Sequence, residues 1–298
     1  MSTPALDRPE WLDTDRYPFA SNYLDLPEGR LHYVDEGDGD PLVFLHGNPT
    51  WSFLYRHLVS GLSDGYRCIA PDYLGFGLSD KPEDFSYRPE DHARVVARFL
   101  DELELTDVTL VVQDWGGPIG LDYATRHPEN VRALVVLNTW MWPVEHDRRT
   151  RLFSRAFDNP VGKRLVTRHN GFARWVMPLV YGDRSKLTPE IHRHYLEPLS
   201  TPTERLGSWL FPREILGSSE WLRALWSRRE AIADTPVCLL WGTQDPAFGP
   251  DFLRRWQRLF PDAPTVAYDD AGHYLQEEKG PELATEIRSF LLSLDESG

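Results

Sequence analysis

The sequence predicts an α/β protein: a doubly wound, mostly parallel eight-stranded sheet with helices on both faces and an inserted helical cap. Three observations predict it. Short, nearly continuous apolar runs recur along the chain, and amphipathic helical patterns fill the intervals between them. One interval, near residues 140–216, is about 70 residues long and holds no such run, too long for a structureless loop in a compact domain. Finally, reactive side chains fall just past the ends of three of the runs, where open α/β sheets bind their ligands.

Each element has its own signal. Asn22–Leu26 and residues 30–35 alternate in polarity around the turn 27–29 and read as an antiparallel hairpin. Pro41–Leu45, 67–70, 108–112, 132–137, 236–241 and Thr265–Tyr268 read as strands buried on both faces of a parallel sheet. Residues 89–103 place Val95, Val96, Phe99, Leu100 and Leu103 on one side and charges on the other, a helix against that sheet. Residues 140–216 hold short helical patterns punctuated by Pro160, Pro178, Pro189, Pro198, Pro202 and Pro212, together with Trp140, Trp142, Trp175 and Trp209. They are expected as the cap domain, over a core domain made of 1–139 and 217–298.

The chain has 298 residues, 41% hydrophobic and 26% charged, which is ordinary globular composition and enough to bury a core unaided. No apolar run approaches the ~18 residues of a membrane helix. The first residues carry neither a basic start nor an apolar segment, so no signal peptide is expected. Cys68 and Cys238 lie in separate apolar runs and are expected as buried, reduced thiols of a cytoplasmic protein. The net charge of −14 argues against nucleic-acid and anionic-membrane partners. Lysine is confined to Lys81, Lys163, Lys186 and Lys279; an acidic, lysine-poor surface suits concentrated salt, or reflects only an arginine-rich genome.

The strongest chemical signal is the run from Val108 to Gly117, where a strand meets Asp114, Trp115 and two glycines before a helical stretch at 119–126. That is a strand–turn–helix elbow with aspartate at its exposed position. The one G-x-S-x-G, Gly61 to Gly65, comes before the 67–70 strand and not after a strand, so it forms no elbow and a serine esterase is disfavoured. Alone, Asp114 reads equally well as a helix cap. It does not stand alone: Asp245 follows the 236–241 strand, and His273 follows Thr265–Tyr268. Nucleophile, acid and histidine thus appear in hydrolase order, each past a strand end. After Pro41–Leu45 comes His46-Gly47-Asn48-Pro49, whose backbone is placed to give half of an oxyanion hole. The Asn48 amide and the Trp115 indole are donors suited to a soft anion.

The segments HGNPTWSFLYR, DYLGFGLSD, VVQDWGG, LWGTQD and AGHYLQEE resemble the haloalkane dehalogenases of the α/β-hydrolase fold, over nearly the whole chain. Related epoxide hydrolases share the aspartate elbow but usually carry an aromatic residue where Asn48 stands; they protonate the epoxide with cap tyrosines, for which Tyr181 and Tyr195 are the candidates here. Fluoroacetate dehalogenases differ after the nucleophile, where this chain has Trp115-Gly-Gly. Many dehalogenases place a glutamate acid after the strand equivalent to 132–137; that position looks like Asn138 here, and Asp245 fills the other. Asp114, His273 and Asp245 with Asn48 and Trp115 resemble the family's third subfamily. Two positions depart from the usual elbow: Val112, where a small residue is common, and Pro118 near the helix start, where proline is tolerated.

The resemblance implies hydrolytic dehalogenation of a small apolar substrate through an alkyl ester on Asp114, opened by water that His273 activates and Asp245 supports. It implies a halide held by Asn48 and Trp115, an oxyanion hole from their backbone N–H groups, and a tendency to homo-oligomers. No cofactor or metal is implied; His192 and His194, two residues apart, do not share a helix face. Expected pocket walls are Trp140, Trp142, Phe153, Trp175, Leu179, Phe211, Phe248 and Tyr274. Epoxide hydrolysis is the alternative reaction, and a non-catalytic small-molecule receptor on the same scaffold is disfavoured by the intact charged triad.

Overall fold

A computed structural model describes residues 8–296. The first seven residues and the last two of the expected core domain, and with them the start of the segment read for a leader, lie outside the described residues. In chain order the strands are β1 (Asn22–Leu26), β2 (Gly29–Glu36), β3 (Pro41–Leu45), β4 (Arg67–Pro71), β5 (Val108–Asp114), β6 (Val131–Thr139), β7 (Val237–Gly242) and β8 (Thr265–Tyr268). They form one sheet in the order β1-β2-β4-β3-β5-β6-β7-β8. β2 is antiparallel to both β1 and β4, and the remaining pairs are parallel.

Successive residues of a strand point to opposite faces, and the core divides accordingly. Val43, Leu45, Leu110, Val112, Leu134, Val136 and Leu239 join one apolar layer. Leu42, Phe44, Val111, Ala133, Val135, Leu137 and Leu240 join the other. Each such side chain, fully withdrawn from water, contributes about 1.5–3 kcal/mol before entropy is counted. Helix α1 (Arg56–Leu62) buries Leu58, Val59 and Leu62 in the second layer. Helices α2 (Pro89–Glu102) and α3 (Gly116–Arg126) cover the first, with Val95, Val96, Phe99 and Ile119. β8 departs from expectation: it is only partly buried because it closes the sheet at an edge.

Between β6 and β7 lie α4 (Arg148–Phe157), α5 (Pro160–His169), α6 (Pro189–Leu196), α7 (Leu206–Gly217) and α8 (Ser219–Ser227). Pro160 and Pro189 start α5 and α6, where a missing N–H costs nothing. A single π turn, Phe172–Val176, interrupts the helical path. The Arg205 guanidinium donates to the carbonyls of Leu199, Ser200, Thr167 and Arg168, tying the end of α5 to the turn before α7. The chain ends with α9 (Pro250–Leu259), α10 (Leu275–Glu278) and α11 (Gly280–Asp295), the last packed on α1. Cys68 and Cys238 are free and buried, and burial pushes both thiols up to about 12.

Candidate active site

β5 ends at Asp114, whose φ of +49° lies in the left-handed region. Aspartate enters that region more readily than most residues, and the sharp turn lifts its carboxylate to the sheet's carboxyl edge. Helix α3 starts at Gly116, three residues earlier than the helical pattern indicates. A Cβ at Gly116 would meet the Leu45 carbonyl oxygen at 1.9 Å, so only glycine lets the elbow settle against β3. Gly47 likewise brings its loop onto the nucleophile, where a Cβ would meet Asp114 Oδ2 at 2.3 Å. The Asn48 backbone N–H donates to Asp114 Oδ2 at 2.9 Å, and the Trp115 backbone N–H lies near enough to favour the charged carboxylate. Burial raises the Asp114 pKa, while His273 and these two N–H groups push back toward the charged form.

His273 Nδ1 lies 2.9 Å from Asp245 Oδ2. Burial disfavours the imidazolium, but Asp245 and then Asp114 outweigh it and hold the His273 pKa above its ordinary value. Asp245 is fixed from two further sides: the Ala247 N–H donates to Oδ1 at 2.7 Å, and Asn138 Nδ2 donates to Oδ2 at 2.8 Å. Asn138 also exchanges two hydrogen bonds with the Gly242 backbone, at 3.0 and 2.8 Å. Gln113, one residue before the nucleophile, donates to the His273 carbonyl at 3.0 Å, and its Nε2 lies 3.1 Å from His273 Nε2. As a donor it meets the lone pair of the tautomer that gives Nδ1–H to Asp245. Sequence reasoning treated Asn138 only as an empty acid position and passed over Gln113; in both, an amide inside an apolar strand was the available signal.

These groups open on a cavity of about 550 Å³. Its lining includes Asn48, Asp114, Trp115, Asp245 and His273, together with Trp140, Phe153, Phe248 and Tyr274 of the expected walls. The other four expected walls are not among the described lining residues. Trp142 packs on Trp226, Phe252 and Trp256. Phe211 lies behind the site, against Phe76, His92 and Trp115. Trp175 and Leu179 face outward and are about half exposed. Phe172, Val176, Val180, Pro212 and Ile215 line the cavity instead.

The indoles of Trp51, Trp209, Trp241 and Trp256 each donate to a backbone carbonyl. Those of Trp115 and Trp140, whose rings meet edge-on at 4.7 Å, take no partner among the described residues. Asn48 Nδ2 donates to the Ser208 carbonyl at a long 3.3 Å, and its Oδ1 is unpartnered. Buried donors are rarely left unmatched, so a cavity with two free indole N–H groups is fitted to an acceptor. Of the cap tyrosines, Tyr195 donates to Glu277 and Tyr181 packs on Tyr274; neither is among the lining residues.

The chain belongs to the α/β hydrolase fold family, whose model matches residues 40–280. Within that fold it is an enzyme of the haloalkane dehalogenases, hydrolases that act on carbon–halide bonds. It is 39% identical over 277 residues to Haloalkane dehalogenase 2 of Mycobacterium tuberculosis, covering 92% of this chain and 96% of that one. It is 34% identical over 283 residues to a cis-3-alkyl-4-alkyloxetan-2-one decarboxylase of Shewanella oneidensis, covering 92% and 89%. Among solved structures, haloalkane dehalogenase DatA of Agrobacterium tumefaciens superposes with a TM-score of 0.84 at 29% identity, covering 92% of this chain and 96% of that one.

Proposed function

We propose that this dehalogenase works through a covalent alkyl ester on Asp114. The observation that carries the reading is a carboxylate lining a mostly apolar cavity that accepts the Asn48 backbone N–H and shares the cavity with a hydrogen-bonded histidine–aspartate pair. An Asp114 oxygen attacks the carbon that bears the halogen; the C–O bond forms as the carbon–halogen bond breaks, and the halide leaves with the electron pair. The Asn48 amide and the Trp115 indole donate to the departing halide, and the free Trp140 indole extends that set. Water then takes the place of the Gln113 amide at His273 Nε2, gives that nitrogen a proton and adds to the ester carbonyl, whose oxyanion is held by the Asn48 and Trp115 backbone N–H groups. Asp245 stabilises the imidazolium. Collapse expels the alkoxide, which takes the imidazolium's proton, and Asp114 loses its own proton to solvent. The balance is alcohol, halide and one proton from haloalkane and water.

In the same reading residues 140–216 act as a cap over the core, and the cavity's aromatic walls keep the nucleophile dry. The test is halide release from 1,2-dibromoethane and 1-bromobutane beside a styrene oxide control. Turnover of both bromides without epoxide opening is expected; epoxide turnover alone would overturn the reading.

The decarboxylase relatives support a second reaction at the same carboxylate. Asp114 opening a 2-oxetanone at its alkyl carbon would free a carboxylate, and loss of carbon dioxide with departure of Asp114 would leave an alkene, without water. A cis-3,4-dialkyl-oxetan-2-one in the same substrate panel separates the two: alkene with no halide release favours the second.

A further inference from the structure

The net charge of −14 conceals a segregation. Residues 148–174 contain eight Lys or Arg and one acid, Asp158, a net of +7 that leaves −21 on the rest of the chain. Arg148, Arg149, Arg155, Lys163, Arg164, Arg168 and Arg174 are all exposed. Asp158 is already paired with Arg213, at 2.8 Å. The same stretch gathers the exposed apolar surface. Of the exposed large hydrophobic side chains among the described residues, all but Leu292 lie between Leu152 and Leu179, and Val161 is 77% exposed. They are contiguous in part: a carbon placed on Gly171 would lie 3.0 Å from Leu165 and 3.1 Å from Trp175. Val161 and Leu165 are four apart on α5 and share a face.

We propose that this face of α4, α5 and the π turn docks on an anionic lipid surface. Apolar side chains interleaved with arginines, with an exposed tryptophan among them, match a headgroup boundary: the rings and aliphatic groups enter the acyl edge while the guanidinium groups reach the phosphates. A surface of opposite sign is required, and anionic headgroups supply it. A symmetric pairing with a second copy would instead set +7 against +7, since a two-fold interface meets itself. The outcome would serve the cavity. Thr150 and Phe153 of α4 and Phe172 and Val176 of the π turn form part of its wall, so an apolar molecule dissolved in lipid would meet the protein at the cavity's own side. The proposal holds whichever bond Asp114 opens.

The test is co-flotation of the full chain with phosphatidylcholine vesicles, with and without phosphatidylglycerol. Binding to the anionic vesicles alone is expected, and its loss at ~1 M KCl, where the Debye length falls to about 3 Å. The pairs Arg164→Glu/Arg168→Glu and Val161→Ser/Leu165→Ser should each lower the partition constant by more than about tenfold, while turnover of a water-soluble substrate stays unchanged. Absent or charge-independent vesicle binding would overturn the proposal, as would binding retained by both pairs. Sedimentation velocity without lipid gives a further arm: an oligomer that the Val161→Ser/Leu165→Ser pair dissolves would make this face a contact between copies.

Discussion

Asn138 Nδ2 donates to Asp245 Oδ2 at 2.8 Å, the same oxygen that lies 2.9 Å from His273 Nδ1. The end of β6 therefore contributes a donor that orients the carboxylate following β7, and the imidazole and the amide share one oxygen, each on its own lone pair. Asp245→Asn should slow ester hydrolysis by up to ~10⁴-fold, because the imidazolium loses its counter-charge, and should slow halide release far less. Asn138→Leu should lower steady-state turnover while sparing the first halide. Single-turnover and steady-state rates measured on both variants check this; wild-type turnover in Asp245→Asn would remove Asp245 from the role.

The covalent route makes a stoichiometric prediction. Asp114→Ala should release no halide and keep the native circular dichroism. His273→Ala should release at most one halide per chain and accumulate the protein with one alkyl group added, visible by intact mass. Repeated turnover by Asp114→Ala would assign the nucleophile elsewhere.

The pH profile has a definite sign. Asp245 raises the His273 pKa above 6.5 despite burial, and a protonated imidazole accepts no proton. Steady-state turnover should therefore fall on acidification, with an apparent midpoint governed by His273 beside Asp245, because Asp114 carries no charge while it is esterified. The burst of halide should persist below that midpoint, until Asp114 itself takes a proton. Burst and steady-state rates measured from about pH 5 to pH 9 decide it; a burst and a steady state that fall together would contradict the scheme.

His92 is a second pH-sensitive group, unconnected with the chemistry. It is fully buried among Tyr73, Phe76, Phe85, Tyr87 and Phe211, with both ring nitrogens unpartnered, and burial lowers its pKa to about 3. A base whose folded pKa lies below its unfolded 6.5 adds stability above pH 6.5, and that stability drains away as the pH falls toward 3. His92→Met removes an unsatisfied polar group and should raise stability at neutral pH by ~1 kcal/mol and flatten the acid limb. Thermal melts across that range check it; a melting temperature lowered at neutral pH would show the ring to be needed for its shape.

The sheet was legible because its inner strands are buried on both faces and therefore carry unbroken apolar runs, as at β3 and β5. The order of Asp114, Asp245 and His273 was legible because reactive groups must stand past strand ends to reach the edge. The cavity walls were not. Trp142 and Phe211 are as aromatic as Trp140 and Phe248, and only the direction each ring takes from the loop after β6, from α7 and from the loop before α9 decides which pair lines the cavity. Trp175 and Leu179 were read inward on hydrophobicity, whereas they are exposed among arginines. Net charge likewise hid the basic stretch at 148–174, because a sum over the chain carries no position.

Arg205 donates to four carbonyls from two neighbouring pieces of chain, 167–168 and 199–200, and no carboxylate accepts from it among the described residues. A guanidinium bound only to backbone oxygens depends on the course of the main chain, not on which side chains those positions carry. The residues around it are free to vary, provided the loop keeps its path. Selection can thus change the polarity of the surrounding surface, one substitution at a time, while the tie between the end of α5 and the turn before α7 is inherited intact.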